Sequence, residues 1–118
     1  MFEITKEFRF EAAHTLNRTI ETEPSRRIHG HSYRATITLR GTPDASGMIM
    51  DFGSLATHIA ALRASLDHRF LDEVEHLGPA TLENLAAFIW RALHPACPGL
   101  VRVAVFRDSE GESCAYEG

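Results

Sequence analysis

Residues 1–14 alternate with a period of two. Phe2, Ile4, Phe8, Phe10 and Ala12 fall on one side, and Glu3, Thr5, Glu7, Arg9 and Glu11 on the other. Successive side chains of an extended chain project to opposite faces, so this pattern predicts a half-buried strand. Residues 15–28 are polar and include Pro24, which predicts a long loop. Residues 29–40 alternate again, with Tyr33, Ala35, Ile37 and Leu39 on the apolar side. A turn at 41–47 follows, carrying Pro43, Asp44 and Ser46, and then a short extended piece at 48–52. Leu55, Ile59, Leu62 and Leu66 then form a single apolar stripe at helical spacing, predicting a helix that ends near Asp67 and His68. A second helix is expected after Pro79, with Leu82, Leu85, Ile89 and Leu93 inward and a stop before Pro95. Pro98 and Gly99 introduce a strand at 100–106, and a turn at 109–112 leads to a last short strand ending at Tyr116. The order strand, strand, helix, helix, strand, strand predicts an α+β domain, an antiparallel sheet backed by helices.

Composition narrows the class. A chain of 118 residues is read as one domain, 1–118, with enough apolar content (44%) for a core. A net charge of −4 argues against nucleic-acid binding, which needs a basic face. No apolar run approaches the roughly 20 residues that span a bilayer, and the start of the chain has no signal-peptide stretch. Cys97 and Cys114 show no paired spacing, so a disulfide framework is not expected and a cytoplasmic location is.

Seven histidines are a rich count for this length. Alternation puts His14 at the end of the first strand on the face of Phe8, Phe10 and Ala12. It puts His29 and His31 at the start of the second strand on the face of Tyr33 and Ala35. Antiparallel pairing places the end of one strand beside the start of the next, so the three imidazoles are expected to converge. Three neutral imidazoles with no fourth strong ligand nearby suit an open zinc site, and nitrogen donors favour zinc over magnesium or calcium.

The chain also resembles the 6-pyruvoyl- and 6-carboxy-tetrahydropterin synthase family. The matching pieces are Phe-Glu-Ala-Ala-His (10–14), Ile-His-Gly-His-Ser-Tyr (28–33), Met-Asp-Phe-Gly-Ser-Leu (50–55) and Leu-Asp-His-Arg-Phe-Leu (66–71). Thr-Leu-Glu-Asn-Leu-Ala (81–86), with Ile89 and Trp90, continues the likeness in the same order. The resemblance implies a T-fold: a four-stranded antiparallel sheet with two helices on one face, in the order ββααββ. It implies a homo-oligomer, trimer or hexamer, with sites between subunits. It also implies a lyase-type enzyme that binds zinc through His14, His29 and His31. The substrate so implied is 7,8-dihydroneopterin triphosphate, and the nearest activity is that of the bacterial 6-carboxytetrahydropterin synthases of queuosine biosynthesis.

By the same resemblance Asp67 and His68 match a proton-handling dyad, a carboxylate orienting an imidazole. Thr81 and Asp108 match residues that hold the pterin, aspartate standing where the family has glutamate. The family's reactive cysteine is Ser25 here, and a serine hydroxyl is no equivalent base. Three readings of Ser25 stay open: an engineered replacement, an evolved change with another group in the role, or lost turnover in a pterin-binding homologue. Glu21 and Glu23 in the same loop offer carboxylates for an alternative zinc lyase that gives a 6-hydroxymethyl pterin. Arg26 and Arg27 are candidates to attract a triphosphate.

Overall fold

A computed structural model describes residues 1–20 and 22–118. The two alternating segments form the backbone of the sheet. β1 (Phe2–His14) and β2 (His29–Gly41) pair antiparallel over their whole length, from Phe2 opposite Gly41 to His14 opposite His29. β4 (Leu100–Arg107) pairs antiparallel with β2, and β5 (Glu112–Glu117) with β4. A bulge between Thr38 and Leu39 shifts the β2–β4 register. Beside it Gly99 approaches so closely that a Cβ there would lie 2.9 Å from the Arg40 carbonyl oxygen, so only glycine fits.

The inward side of the sheet carries Phe8, Phe10, Tyr33, Ala35, Ile37, Leu39, Val103 and Val105, all buried. Phe10 and Tyr33 stack across the strands with ring centroids 4.9 Å apart. α2 (Phe52–Arg63) and α3 (Leu82–Leu93) cover this side, with α3 over β4 and β5 and α2 against β1 and α3. Both helices start on side-chain caps. Asp51 accepts from the Gly53 amide at 2.6 Å and Thr81 from the Asn84 amide at 3.1 Å. Leu55, Ile59 and Leu62 of α2, and Leu82, Leu85, Ile89 and Leu93 of α3, are buried as their spacing requires.

Three features correct the expected architecture. The sheet has five strands in the order β3-β1-β2-β4-β5, and it is mixed, because β3 (Arg69–Phe70) runs parallel to β1 at Ala12 and Ala13. Two residues are too few to show alternation. The expected long first helix stops at Arg63, and Leu66 reaches the core from the turn that follows. The expected loop at 15–28 holds a third helix, α1 (Thr22–Arg26), with Pro24 in its first turn, where a missing N–H costs nothing. The order is therefore βαβαβαββ, not ββααββ. Among the described residues no helix is long and apolar enough to cross a membrane.

Candidate metal centre and its cavity

The β1–β2 register brings the histidines together. His14 lies opposite His29, Ala12 opposite His31, and all three rings face inward at one end of the sheet. Ring centroids are 4.5 Å apart for His14 and His29, and 4.9 Å for each of the other two pairs. One ligand nitrogen from each ring lies within 4.8 Å of the others. His14 is buried, and His29 and His31 are half-buried.

Hydrogen bonds set the tautomers. His14 Nδ1 lies 3.0 Å from the Ala80 carbonyl oxygen and His29 Nδ1 lies 2.7 Å from that of Arg27. A carbonyl only accepts, so both Nδ1 atoms carry the proton and both Nε2 atoms present a lone pair. His31 Nε2 faces His14 Nε2 at 3.1 Å. Tetrahedral bonds of about 2.0–2.1 Å separate neighbouring nitrogens by about 3.3 Å, so this edge fits a metal of zinc's size. Burial, then the neighbouring His29, lowers the His14 pKa. Burial, then the neighbouring His14, lowers that of His31 to about 4. Both rings are therefore held in the neutral form that a cation requires.

The trio borders a cavity of about 720 Å³, within the range of small-molecule sites. Ser25 is buried and lines it, its carbonyl accepting from the Leu16 amide at 2.7 Å. Thr81 lines it too, with its hydroxyl oxygen engaged as the α3 cap. Glu83, Arg107, Glu110 and Glu112 complete much of the wall.

The other candidates lie elsewhere in the subunit. Asp67 and His68 form the expected pair, Asp67 Oδ2 accepting from His68 Nδ1 at 2.9 Å. Asp67 Oδ1 also accepts from the Glu11 amide at 2.9 Å, and Arg63 stands 3.2 Å from Oδ2. These donors, the Glu11 amide foremost, hold its pKa below the ordinary carboxylate value. The pair does not line the histidine cavity. His68, 78% exposed, borders a separate depression with Glu11, Ala13, Gly30 and Ser32, positions that face the other side of the sheet, and with Ala12 and His31, so His31 borders both. Its backbone is left-handed (φ 57°) and its amide donates to the Glu11 carbonyl at 2.6 Å.

Asp108 also belongs to that opposite face. Arg34 grips both its oxygens, Nε and Nη2 each at 2.9 Å, and this keeps the carboxyl ionised. Glu23 is exposed and pairs with Arg27 at 3.6 Å, away from the cavity lining. Glu21 lies outside the described residues. Arg26 is exposed as well.

Sequence reasoning passed over Arg107 and Glu112. The signal was present: Arg107 follows Val103 and Val105 at period two, a cation on an otherwise apolar face.

Comparison with known proteins agrees with this geometry. The 6-pyruvoyl tetrahydropterin synthase family profile matches residues 3–118. The 6-carboxy-5,6,7,8-tetrahydropterin synthase of Synechocystis sp. is 40% identical over 112 residues, covering 89% of this chain and 85% of the relative. The human 6-pyruvoyl tetrahydrobiopterin synthase is 33% identical over 97 residues, covering 76% of this chain and 66% of the relative. The solved Caenorhabditis elegans 6-pyruvoyl tetrahydropterin synthase superposes with a TM-score of 0.84 at 23% identity, covering 99% of this chain and 95% of that one. On the full-length profile match and the bacterial relative together, this chain belongs to the 6-pyruvoyl tetrahydropterin synthase family.

Proposed function

We propose that the protein is a zinc-dependent 6-carboxytetrahydropterin synthase, a cytoplasmic lyase acting on 7,8-dihydroneopterin triphosphate in the route to queuosine. The observation that carries this reading is the convergence of three inward imidazoles on a cavity of small-molecule size, two of them fixed by backbone carbonyls. The similarity to the Synechocystis enzyme favours the carboxy product over the pyruvoyl one.

His14, His29 and His31 hold the metal in this reading. Bound zinc supplies Lewis-acid polarisation of the substrate's side-chain oxygens, which acidifies the neighbouring C–H bonds. Ser25 offers a hydroxyl for orientation in the cavity, not a thiolate base. His68 moves the protons through Nε2, because Nδ1 is committed to Asp67, which orients the ring. Within one subunit that ring does not line the cavity, so we assign it to the site of a neighbouring subunit in a homo-oligomer. Its exposure at the sheet margin makes it available there. Thr81 contacts the heterocycle from within the cavity. Asp108, on the same outward side as the dyad, contacts it from the neighbour.

The deciding experiment loads the protein with zinc, supplies dihydroneopterin triphosphate, and resolves the products by mass spectrometry. The reading requires about one zinc per chain and 6-carboxytetrahydropterin as product. A hydroxymethyl pterin replaces it with the alternative lyase. Binding without turnover leaves a pterin-binding homologue whose chemistry was lost at Ser25.

A further inference from the structure

On the inward side of β4, Val103 and Val105 are fully buried and the next residue on that side is Arg107. β2 pairs with β4 so that Ala35 meets Val105 and Arg34 meets Phe106, which brings Tyr33 alongside Arg107. On its other flank Arg107 is opposite Glu112, whose Oε1 takes Nη2 at 2.9 Å. That contact fixes the guanidinium at the cavity wall, with only 16% of the side chain exposed. Tyr33 lies one step along β2 from His31, ring centroids 5.8 Å apart.

Two donors are left over. Arg107 Nε and Tyr33 Oη are both buried and neither has a hydrogen-bond partner among the described residues. A phenol keeps its proton at neutral pH, so the hydroxyl is a donor. A buried N–H and a buried O–H lacking acceptors are each costly, and two on adjacent strands, Arg107 on the cavity wall and Tyr33 beside it, mark the place of an acceptor.

We infer that Arg107 Nε and Tyr33 Oη form a donor pair for an oxyanion of the ligand, next to the three-histidine site. The inference rests on the pterin synthase reading, which offers two such groups: the carboxylate that the reaction leaves on the pterin, and the oxygens of the triphosphate. The charges favour the carboxylate. Glu83, Glu110 and Glu112 line the cavity against Arg18 and Arg107, and this net negative wall repels a polyanion more than a single charge. The planar guanidinium supplies a permanent charge that a lysine would place differently. Arg107 thus determines specificity for a carboxylated ring.

The test measures calorimetric binding of 6-carboxypterin, unsubstituted pterin and inorganic triphosphate to zinc-loaded protein. Wild type is compared with Arg107→Gln and Tyr33→Phe, with zinc content and circular dichroism as controls. Arg107→Gln should weaken 6-carboxypterin roughly 10- to 100-fold while leaving unsubstituted pterin within about twofold and zinc unchanged. Tyr33→Phe should act in the same sense and less. Equal losses for both pterins, or no loss for either, overturn the inference. Loss for triphosphate alone keeps the oxyanion pair and overturns its assignment to the carboxylate. If Arg107→Gln loses its fold or zinc, Arg107→Lys keeps the charge without the Nε donor and should weaken 6-carboxypterin while sparing unsubstituted pterin; equal effects on the two pterins, or none, overturn the inference. Wild type that binds neither pterin refutes the functional reading, whereas wild-type pterin binding unaltered in the variants refutes only this pair.

Discussion

Replacing Tyr33 by phenylalanine removes one hydroxyl from a ring that is otherwise 1% exposed and stacked on Phe10. The hydroxyl has no acceptor among the described residues. Burying a hydroxyl without one costs about 1–3 kcal/mol, so its removal should recover roughly 1 kcal/mol after the lost contacts of one oxygen are subtracted. The chain has 118 residues. At roughly 2 cal/mol/K per residue its melting entropy is about 0.25 kcal/mol/K, so 1 kcal/mol raises Tm by about 4 °C. The assay is thermal melting of ligand-free wild type and Tyr33→Phe at one protein concentration and equal zinc loading. A variant that melts lower by a similar amount refutes the reasoning, because a destabilising loss means the hydroxyl is already paired. The gain should shrink or reverse with 6-carboxypterin present, since only wild type then gains its acceptor.

Four further outcomes follow from the same geometry. His29→Ala leaves two imidazoles, and elemental analysis should find less than about a tenth of wild-type zinc after dialysis, with turnover down at least 100-fold. Ser25→Cys should raise the product rate, read by mass spectrometry, because a thiol of pKa near 8.5 supplies the base that a hydroxyl does not; an unchanged rate shows that another group does that work. Coexpressing His29→Ala with His68→Asn, each inactive alone, should restore about one quarter of wild-type activity if the two residues serve one site from different subunits, and none if they act within a subunit. Asp67 has its pKa held below the ordinary 3.8, so its contribution is complete above that value and is lost as the pH falls through the lower, folded-state pKa. Urea titrations should show Asp67→Asn less stable than wild type at neutral pH, with the difference narrowing below about pH 4; a gap that is constant with pH removes the ionised carboxylate from the explanation.

The convergence of the three histidines was legible in the sequence because two long alternating strands leave little freedom of register. Once residues 1–14 and 29–40 pair as neighbours, His14, His29 and His31 are bound to share a side. The helices were legible from their apolar stripes, and both caps fall on residues that commonly serve as caps. β3 was not, since pairing through Arg69 and Phe70 is a tertiary event without a local pattern. The single turn of α1 was hidden by Pro24, which usually breaks helices but is harmless in a first turn. Family motifs named Asp67, His68 and Asp108 without saying on which side of the sheet each would lie. Alternation along β4 answers that for Asp108, which shares the outward parity of Phe106, and also shows Arg107 to be inward.

The left-handed backbone at His68 affects how the residue is probed. Alanine there removes the imidazole and also strains the main chain, so an alanine scan confounds catalysis with conformational cost. Asparagine adopts positive φ more readily than other non-glycine residues and cannot shuttle a proton, so it separates the two effects. The same constraint would penalise β-branched replacements most heavily, which predicts a narrow set of viable substitutions in a saturation screen even under conditions where the reaction itself is not selected.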